Sequence, residues 1–425
     1  MRQPLMKDAI SVLRLADHSC TFLGIGPVSE LAVRATFEAS RRYSCPPTFI
    51  ASRNQVELAS LGHGYLMGGM DQQSFVDLLR REQAAVGYEG PVYICRDHGG
   101  PWQRNVELDE KYPLEKAMEI ARQSFRADIE AGFNYLHIDP TKCPLPFTQD
   151  DLCQWTVDLV AFCEEVRISL GLEPIDYEVG TEDIKGGLTT TATYGAFLGK
   201  LTAMLTERKL PQPTCVVGQT GTLTRVDCNV GRFDLHTVKE LVTIAAKFGV
   251  GLKEHNGDYL SAPTCRVHPN LGVAGMNVAP EFGLVETDAL LSLADLEAKL
   301  GREGWLPDSK LSHLRELITE RSFAIAPWKK WMTDEVRRLP SEQVESDVAL
   351  RLLIARVCGH YTYDDPAVKD ARQTLYANLN LFAMAEDAER VVLEKVRASI
   401  EFYLTHFRLS GVNALLRAHD TSAGE

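Results

Sequence analysis

Asp97 and His98 stand side by side in VYICRDHGGPW, residues 92–102. A carboxylate that can move a proton, next to an imidazole that can take a proton or a metal, is a pair equipped for chemistry. Other ionisable and amide side chains fall at comparable places. His137 and Asp139 close YLHID, Glu178 lies inside DYEVG with Glu182 just beyond it, and His255 ends GLKEH. Asn54 and Gln55 follow TFIAS, Gln219 follows TCVVG, Asp258 follows Asn256-Gly257, and Asn277 lies in GVAGMNV. Two histidines with one or two carboxylates suit a divalent cation, and that donor set favours zinc. His98, His255 and Glu178 are the expected ligands, with Asp139, Gln219 or water as alternatives for the third place, and Asp97 and Glu182 move protons. Asn54, Gln55, Asp139, Gln219, Asp258 and Asn277 are the expected substrate contacts. A cation held this way can polarise a ketose carbonyl and its neighbouring hydroxyl.

Each residue also has a plainer role. A single buried His or Glu is more often a satisfied core group than a ligand. Asp97 and His98 could decorate a surface turn. His137 could face the site or the surrounding helices; by strand alternation it shares its face with Asp139. The glycine turns at 218–222 and 256–258 could hold a phosphate on backbone N–H groups, though short motifs of this kind are weak evidence. Trp328, Trp331 and the tyrosines near 361 read as core or subunit contacts.

For these side chains to meet, something must gather them. Short apolar runs at 20–25, 48–52, 92–96, 135–139, 176–180, 214–218, 251–255 and 272–278 read as strands. Between most of them lie helical patterns at 28–42, 74–86, 114–132, 149–171, 193–208 and 235–248, with another at 283–300. Strand and helix in alternation demand parallel strands with right-handed crossovers. Eight such units predict an α/β fold, a (β/α)8 TIM barrel over 1–300, whose strand C-termini converge on one face. A doubly wound open sheet is the runner-up, but polar residues follow nearly every strand rather than one switch point. The first strand is followed by neither GxGxxG nor GxxxxGK[ST]. From 301 to 425 the pattern is helical throughout, which predicts a helical C-terminal region packed on the barrel, with an unstructured tail at 420–425.

Composition narrows the partners. The chain has 425 residues, 45% hydrophobic, with 45 basic against 58 acidic side chains and a net charge of −13. So acidic a chain is expected to bind neither nucleic acid nor an anionic membrane. Ten scattered cysteines without a CxxC read as reduced core thiols, and the N-terminal stretch lacks a signal-peptide core, so a cytoplasmic location is expected.

Several stretches are familiar together. FIASRNQVE with GYLMGGM, RDHGGPWQRN, GFNYLHID, YEVGTED, KEHNGDYL and GMNVAPEFG run in order through most of residues 20–300. They resemble the non-catalytic-subunit family of class II tagatose-bisphosphate aldolases (GatZ/KbaZ-like), which is distantly similar to the zinc-dependent class II ketose-bisphosphate aldolases. The resemblance implies carbohydrate metabolism and a ketose or sugar-phosphate ligand. By position it makes Asp97 the proton-transferring aspartate, His98 the first zinc histidine, His255 the histidine near the phosphate loop and Asn277 a substrate asparagine. Gln219 stands where the aldolases carry another zinc histidine, and Asn256-Gly257-Asp258 replaces their glycine–serine loop. Both departures agree with the subunit family. Two functions are therefore expected in competition. One is a metal enzyme performing aldol or retro-aldol chemistry, as lyase or C4 epimerase. The other is a non-catalytic partner of a class II aldolase catalytic subunit, with homo-oligomerisation open to either.

Overall fold

The computed structural model describes residues 3–181, 188–384 and 387–422. Eight parallel strands close into a barrel: β1 (Phe22–Ile25), β2 (Thr48–Ser52), β3 (Tyr93–Gly99), β4 (Tyr135–Ile138), β5 (Asp176–Val179), β6 (Cys215–Val217), β7 (Gly251–Glu254) and β8 (Gly275–Val278). Their order around the ring is β1-β8-β7-β6-β5-β4-β3-β2. The expected (β/α)8 TIM barrel is what forms. Nearly every strand residue is buried because the ring packs on both faces, its interior against itself and its exterior against helices. The helices between strands start on side-chain caps where the sequence supplies them. Ser29 accepts from Ala32 N, Asp71 from Ser74 N, and Thr148 forms a capping box with Asp151.

Three local features depart from the sequence reading. A ten-residue helix, Ala262–Leu271, stands where only a short connection is expected. Two prolines and a histidine disguise it. One proline occupies the first turn, where no N–H is needed, and Ser261 supplies the cap. A two-stranded antiparallel ribbon, 224–225 with 228–229, rises from the loop after β6. The last helix, Val412–Ser422, runs into the stretch expected to be an unstructured tail.

After helix Pro280–Arg302, the described residues are helical, including Leu314–Ile325, Val348–Cys358, Pro366–Leu381 and Ala388–His406. One apolar cluster joins barrel residues such as Phe22, Tyr93 and Met276 to Leu375, Val396 and Tyr403, so the later helices share the barrel's core. Helix Met6–Leu15 joins the same cluster at the start of the strands, where its first N–H groups, Met6 and Lys7, donate to Asp176 at 2.5 and 3.2 Å. Among the described residues, no helix is long and apolar enough to cross a membrane. All ten cysteines are free thiols.

Candidate active site at the barrel mouth

Strand alternation sets which side chains enter the mouth. On β3, Cys95 faces inward and Arg96 outward, where its guanidinium holds Asp128 at 2.5 and 2.9 Å and donates to the carbonyls of Ala51 and Val56. Strict alternation would send His98 outward as well. Instead the β3–β4 register shifts between Arg96 and Gly99. His98 takes φ +44°, the left-handed region that L-residues rarely occupy. This irregularity puts both Asp97 and His98 into the mouth. Arg53, fully buried against Glu57 and Glu107, donates to the Gly100 carbonyl at 2.8 Å and fixes the loop that follows. On β4, His137 is inward with Asp139 after it. On β5 and β7, Glu178, Lys253 and His255 share the inward face.

These side chains form a chain of contacts. Asp139 Oδ2 lies 2.6 Å from His98 Nδ1, His98 Nε2 lies 3.1 Å from His255 Nδ1, and His255 Nε2 lies 3.0 Å from Glu178 Oε1. The other Glu178 oxygen takes Lys253 Nζ at 2.5 Å. A carboxylate at each end of the row accepts an N–H from its imidazole. In the tautomers that leave both inner nitrogens, His98 Nε2 and His255 Nδ1, unprotonated, two lone pairs face each other across 3.1 Å; with a proton on either one the contact is a hydrogen bond. Two acceptors at that separation repel unless a proton or a cation lies between them. His137 completes the cluster. Its Nδ1 accepts from the His98 amide at 3.2 Å and lies 3.6 Å from Glu178 Oε1 and 3.9 Å from Asp97 Oδ1. Its Nε2 is buried without a hydrogen-bond partner among the described residues. Among the described residues, two sets of three bring their ligand atoms within 4.8 Å of one another: Asp97, His137 and His255, and His98, His137 and Asp139.

The electrostatics follow from this crowding. Burial alone would raise the Asp97 and Asp139 carboxyls, but the surrounding imidazoles hold both well below the usual carboxylate range. Glu178, likewise penalised by burial, is kept ionised by Lys253 and the histidines. Burial works against the Lys253 ammonium too, and Glu178 more than offsets it, so Lys253 stays charged and is no free amine nucleophile. Burial lowers His255 toward its neutral form, the form that offers a lone pair. The His98 and Asp97 side chains, 22% and 14% exposed, are the parts of this cluster most open to solvent.

Of the expected site residues, Asp97, His98, Asp139, Glu178, His255 and Asn277 come together, with Asn277 Nδ2 donating to Asp97 Oδ1 at 3.0 Å. Glu178, expected as a ligand, spends both oxygens on Lys253 and His255 and so orients the histidine. Asp139, expected at the substrate, does the same for His98, and takes Thr141 N and Oγ1 on its other oxygen. Asn54 donates to the Gln103 carbonyl, and Gln55 accepts from Ser52 N, so both brace the loop after β2. Asp258 accepts from the amides of Ala279 and Glu281 and serves the start of helix Pro280–Arg302. Gln219 is buried in the loop after β6, its backbone N–H donating to Thr189 Oγ1. Glu182 lies outside the described residues. Lys253 was not among the expected residues. The signal for it is its place two residues before His255 on one strand, which puts both on the same face. His137 needed only the same rule.

A (β/α)8 barrel with a carboxylate-flanked histidine pair at its mouth is the class these observations define. No protein-family model and no curated protein sequence matches the chain. Solved structures do. A probable tagatose 6 phosphate kinase from Sinorhizobium meliloti 1021 is 19% identical over 91% of this chain and 100% of its own, with a TM-score of 0.71. A fructuronate-tagaturonate epimerase, UxaE, from Cohnella laeviribosi is 13% identical over 92% of this chain and 81% of its own, TM-score 0.56. A fructose-bisphosphate aldolase from Campylobacter jejuni is 12% identical over 86% and 94%, TM-score 0.50. At such identities the likeness is one of fold.

Proposed function

We propose that this chain is a metal-dependent carbohydrate enzyme acting on a ketose or ketose phosphate by aldol or retro-aldol chemistry, as a lyase or a C4 epimerase. The observation that carries it is the row Asp139–His98–His255–Glu178, whose two inner ring nitrogens lie 3.1 Å apart between flanking carboxylates. Metal-binding histidines characteristically give their other N–H to a carboxylate, and both do so here. The residues present therefore fit a divalent cation, most naturally Zn2+, which His98 and His255 would hold; the sets whose ligand atoms come together are Asp97, His137 and His255, and His98, His137 and Asp139. Such an ion would polarise the ketose carbonyl and stabilise the charge left on it when the carbon–carbon bond breaks.

The chain's own residues supply the rest. Asp97, kept ionised and steadied by Asn277, takes the proton of the hydroxyl on C4 as the C3–C4 bond breaks. The bond's electron pair goes to the carbonyl half, and C4 becomes an aldehyde. Protonation at C3 completes cleavage; re-addition to the opposite face of the aldehyde, with return of the Asp97 proton, gives the epimer. Two of the structurally similar proteins are named as an aldolase and an epimerase, in keeping with either outcome. The alternative, a non-catalytic subunit that stabilises a separate tagatose-bisphosphate aldolase chain, gives no reason for a strained His98 aimed at His255. Incubating the metal-supplemented protein with ketoses and ketose phosphates and following the products by NMR tests the proposal. Aldehyde release or inversion at C4, lost in Asp97→Asn, supports it. Substrates unchanged across the series would contradict it.

A further inference from the structure

His255 stands one residue past the end of β7, where the barrel ladder no longer holds it. The last paired residues of that strand are Lys253, opposite Val217 of β6, and Glu254, opposite Met276 of β8. Beyond them Asn256 and Tyr259 take φ +57° and +61°, left-handed values that L-residues keep only when their surroundings fix them. The loop after β6 supplies that hold. Thr222 Oγ1 donates to the His255 carbonyl at 2.9 Å, and Asn229 Nδ2 donates to the carbonyls of Asn256 and Asp258 at 2.9 and 3.1 Å. Asn229 Oδ1 in turn accepts from the backbone N–H groups of Leu223 and Gly231 at 3.2 and 3.3 Å. Two donors and two lone pairs are all that a side-chain amide has, and Asn229 uses every one on backbone. A solvated surface asparagine has no need of this.

Asn229 sits on the ribbon of residues 224–225 and 228–229, directly across from Thr224. The ribbon's turn is Val226-Asp227, and Val226 takes φ +54°. A β-branched residue is among the least suited to that region, so something outside the ribbon must hold it. The C-terminal region does. Val226 donates its backbone N–H to the Trp331 carbonyl at 3.1 Å, and its side chain packs on an apolar cluster with Trp328 and Met332. Arg356 reaches Asp227 Oδ2 at 3.2 Å while its other nitrogens hold Asp288 at 2.7 and 2.9 Å. A continuous set of bonds thus runs from Trp331 and Arg356, through the ribbon and Asn229, to the backbone that carries the His255 ring. That ring has little room. Its nitrogens lie 3.1 Å from His98 and 3.0 Å from Glu178, distances that a movement of about 0.5 Å would spoil.

We propose that Asn229 is a positioning residue for His255, and that the C-terminal helices keep it in place through the turn at Val226-Asp227. The positioning needs only the bonds above; its consequence for a cation rests on reading the mouth as a metal site. It gives the helices after residue 301 a task in the site beyond packing.

NMR of the full-length, metal-free chain with isotope-labelled histidine rings tests it, the His255 signals being identified by their loss in His255→Gln. Asn229→Asp keeps the shape but turns an oxygen toward two carbonyls, and Asn229→Ala removes the amide without adding charge. Both should shift or split the His255 signals. Those of His18, bonded to the Arg408 carbonyl, and of His313, beside Asp308, should stay in place and report an intact fold. Arg356→Gln should shift the His255 signals in the same direction. Zn2+ affinity, by competition with a fluorescent chelator, should fall about tenfold or more in each Asn229 variant. His255 signals that match wild type in both Asn229 variants overturn the proposal, and a match in Arg356→Gln alone overturns the part given to the C-terminal helices. Shifted signals in a chain that takes up no Zn2+ keep the positioning and fail the metal site. Zn2+ uptake with His255 signals unaltered across the variants does the reverse.

Discussion

Two imidazole nitrogens 3.1 Å apart need a proton or a cation between them, and His98 and His255 are held to that contact from both sides. Removing Asp139 by Asp139→Asn should free the His98 tautomer and weaken divalent-metal binding by about 10- to 100-fold, measured by competition with a fluorescent chelator. The fold should survive, because Asp139 lies at the mouth and not in the apolar core. Lys253 makes the opposite prediction. Its ammonium is the cation that neutralises a fully buried Glu178, so Lys253→Met leaves an uncompensated charge and should cost about 3–5 kcal/mol of stability in urea unfolding. A loss below about 1 kcal/mol would mean that Glu178 is balanced by the histidines alone. The residue scale is also where the sequence was least complete. His98 and His255 are legible because histidines at strand ends are rare enough to notice. Lys253 reads as a solvent-facing strand residue until alternation is applied to it. That both Glu178 oxygens are taken, by Lys253 and His255, depends on distances that no spacing in the sequence encodes.

At the scale of elements, the eight strands follow directly from short apolar runs, and the register of most is regular. The irregular one is β3, and it is the one that carries Asp97 and His98. No pattern in RDHGG announces a bulge; only the glycines behind it hint that the backbone leaves the regular path. Gly100, at φ +122°, would bring a β-carbon to 3.0 Å from the Asp139 carbonyl oxygen. Gly100→Ala should therefore both strain the loop by about 1–3 kcal/mol and displace the partner of His98. The expected outcome is a lower unfolding midpoint together with weakened metal binding. Unchanged metal affinity would show that the loop does not set the site. Helix Ala262–Leu271 failed to stand out because two prolines look like a loop when the cap that accommodates one of them is not weighed.

For the whole molecule, the join between barrel and C-terminal helices is closely packed, and it contains a buried carboxyl. Glu286, on helix Pro280–Arg302, accepts from Ser29 Oγ at 2.5 Å, and burial pushes it up from 4.5 to about 7. Between pH 4.5 and about 7 the folded chain holds a proton that the unfolded chain has released. Stability from this group is therefore fully present below pH 4.5, falls through that window and levels off above it. Glu286→Gln should flatten this part of the pH profile and stabilise the protein at pH 8 by the order of 1–3 kcal/mol, with little change at pH 4.5. Thermal unfolding across pH reads this directly, and an unaltered slope would reassign it to other groups.

The most direct measurement of the central claim is the divalent-metal content of the purified full-length chain, before and after chelation and reloading, beside His98→Ala and His255→Ala. A cation shared by the two facing imidazoles predicts close to one equivalent per chain, restored on reloading and lost in either variant. A wild-type chain that takes up no divalent metal, or variants that keep their full complement, would contradict the account.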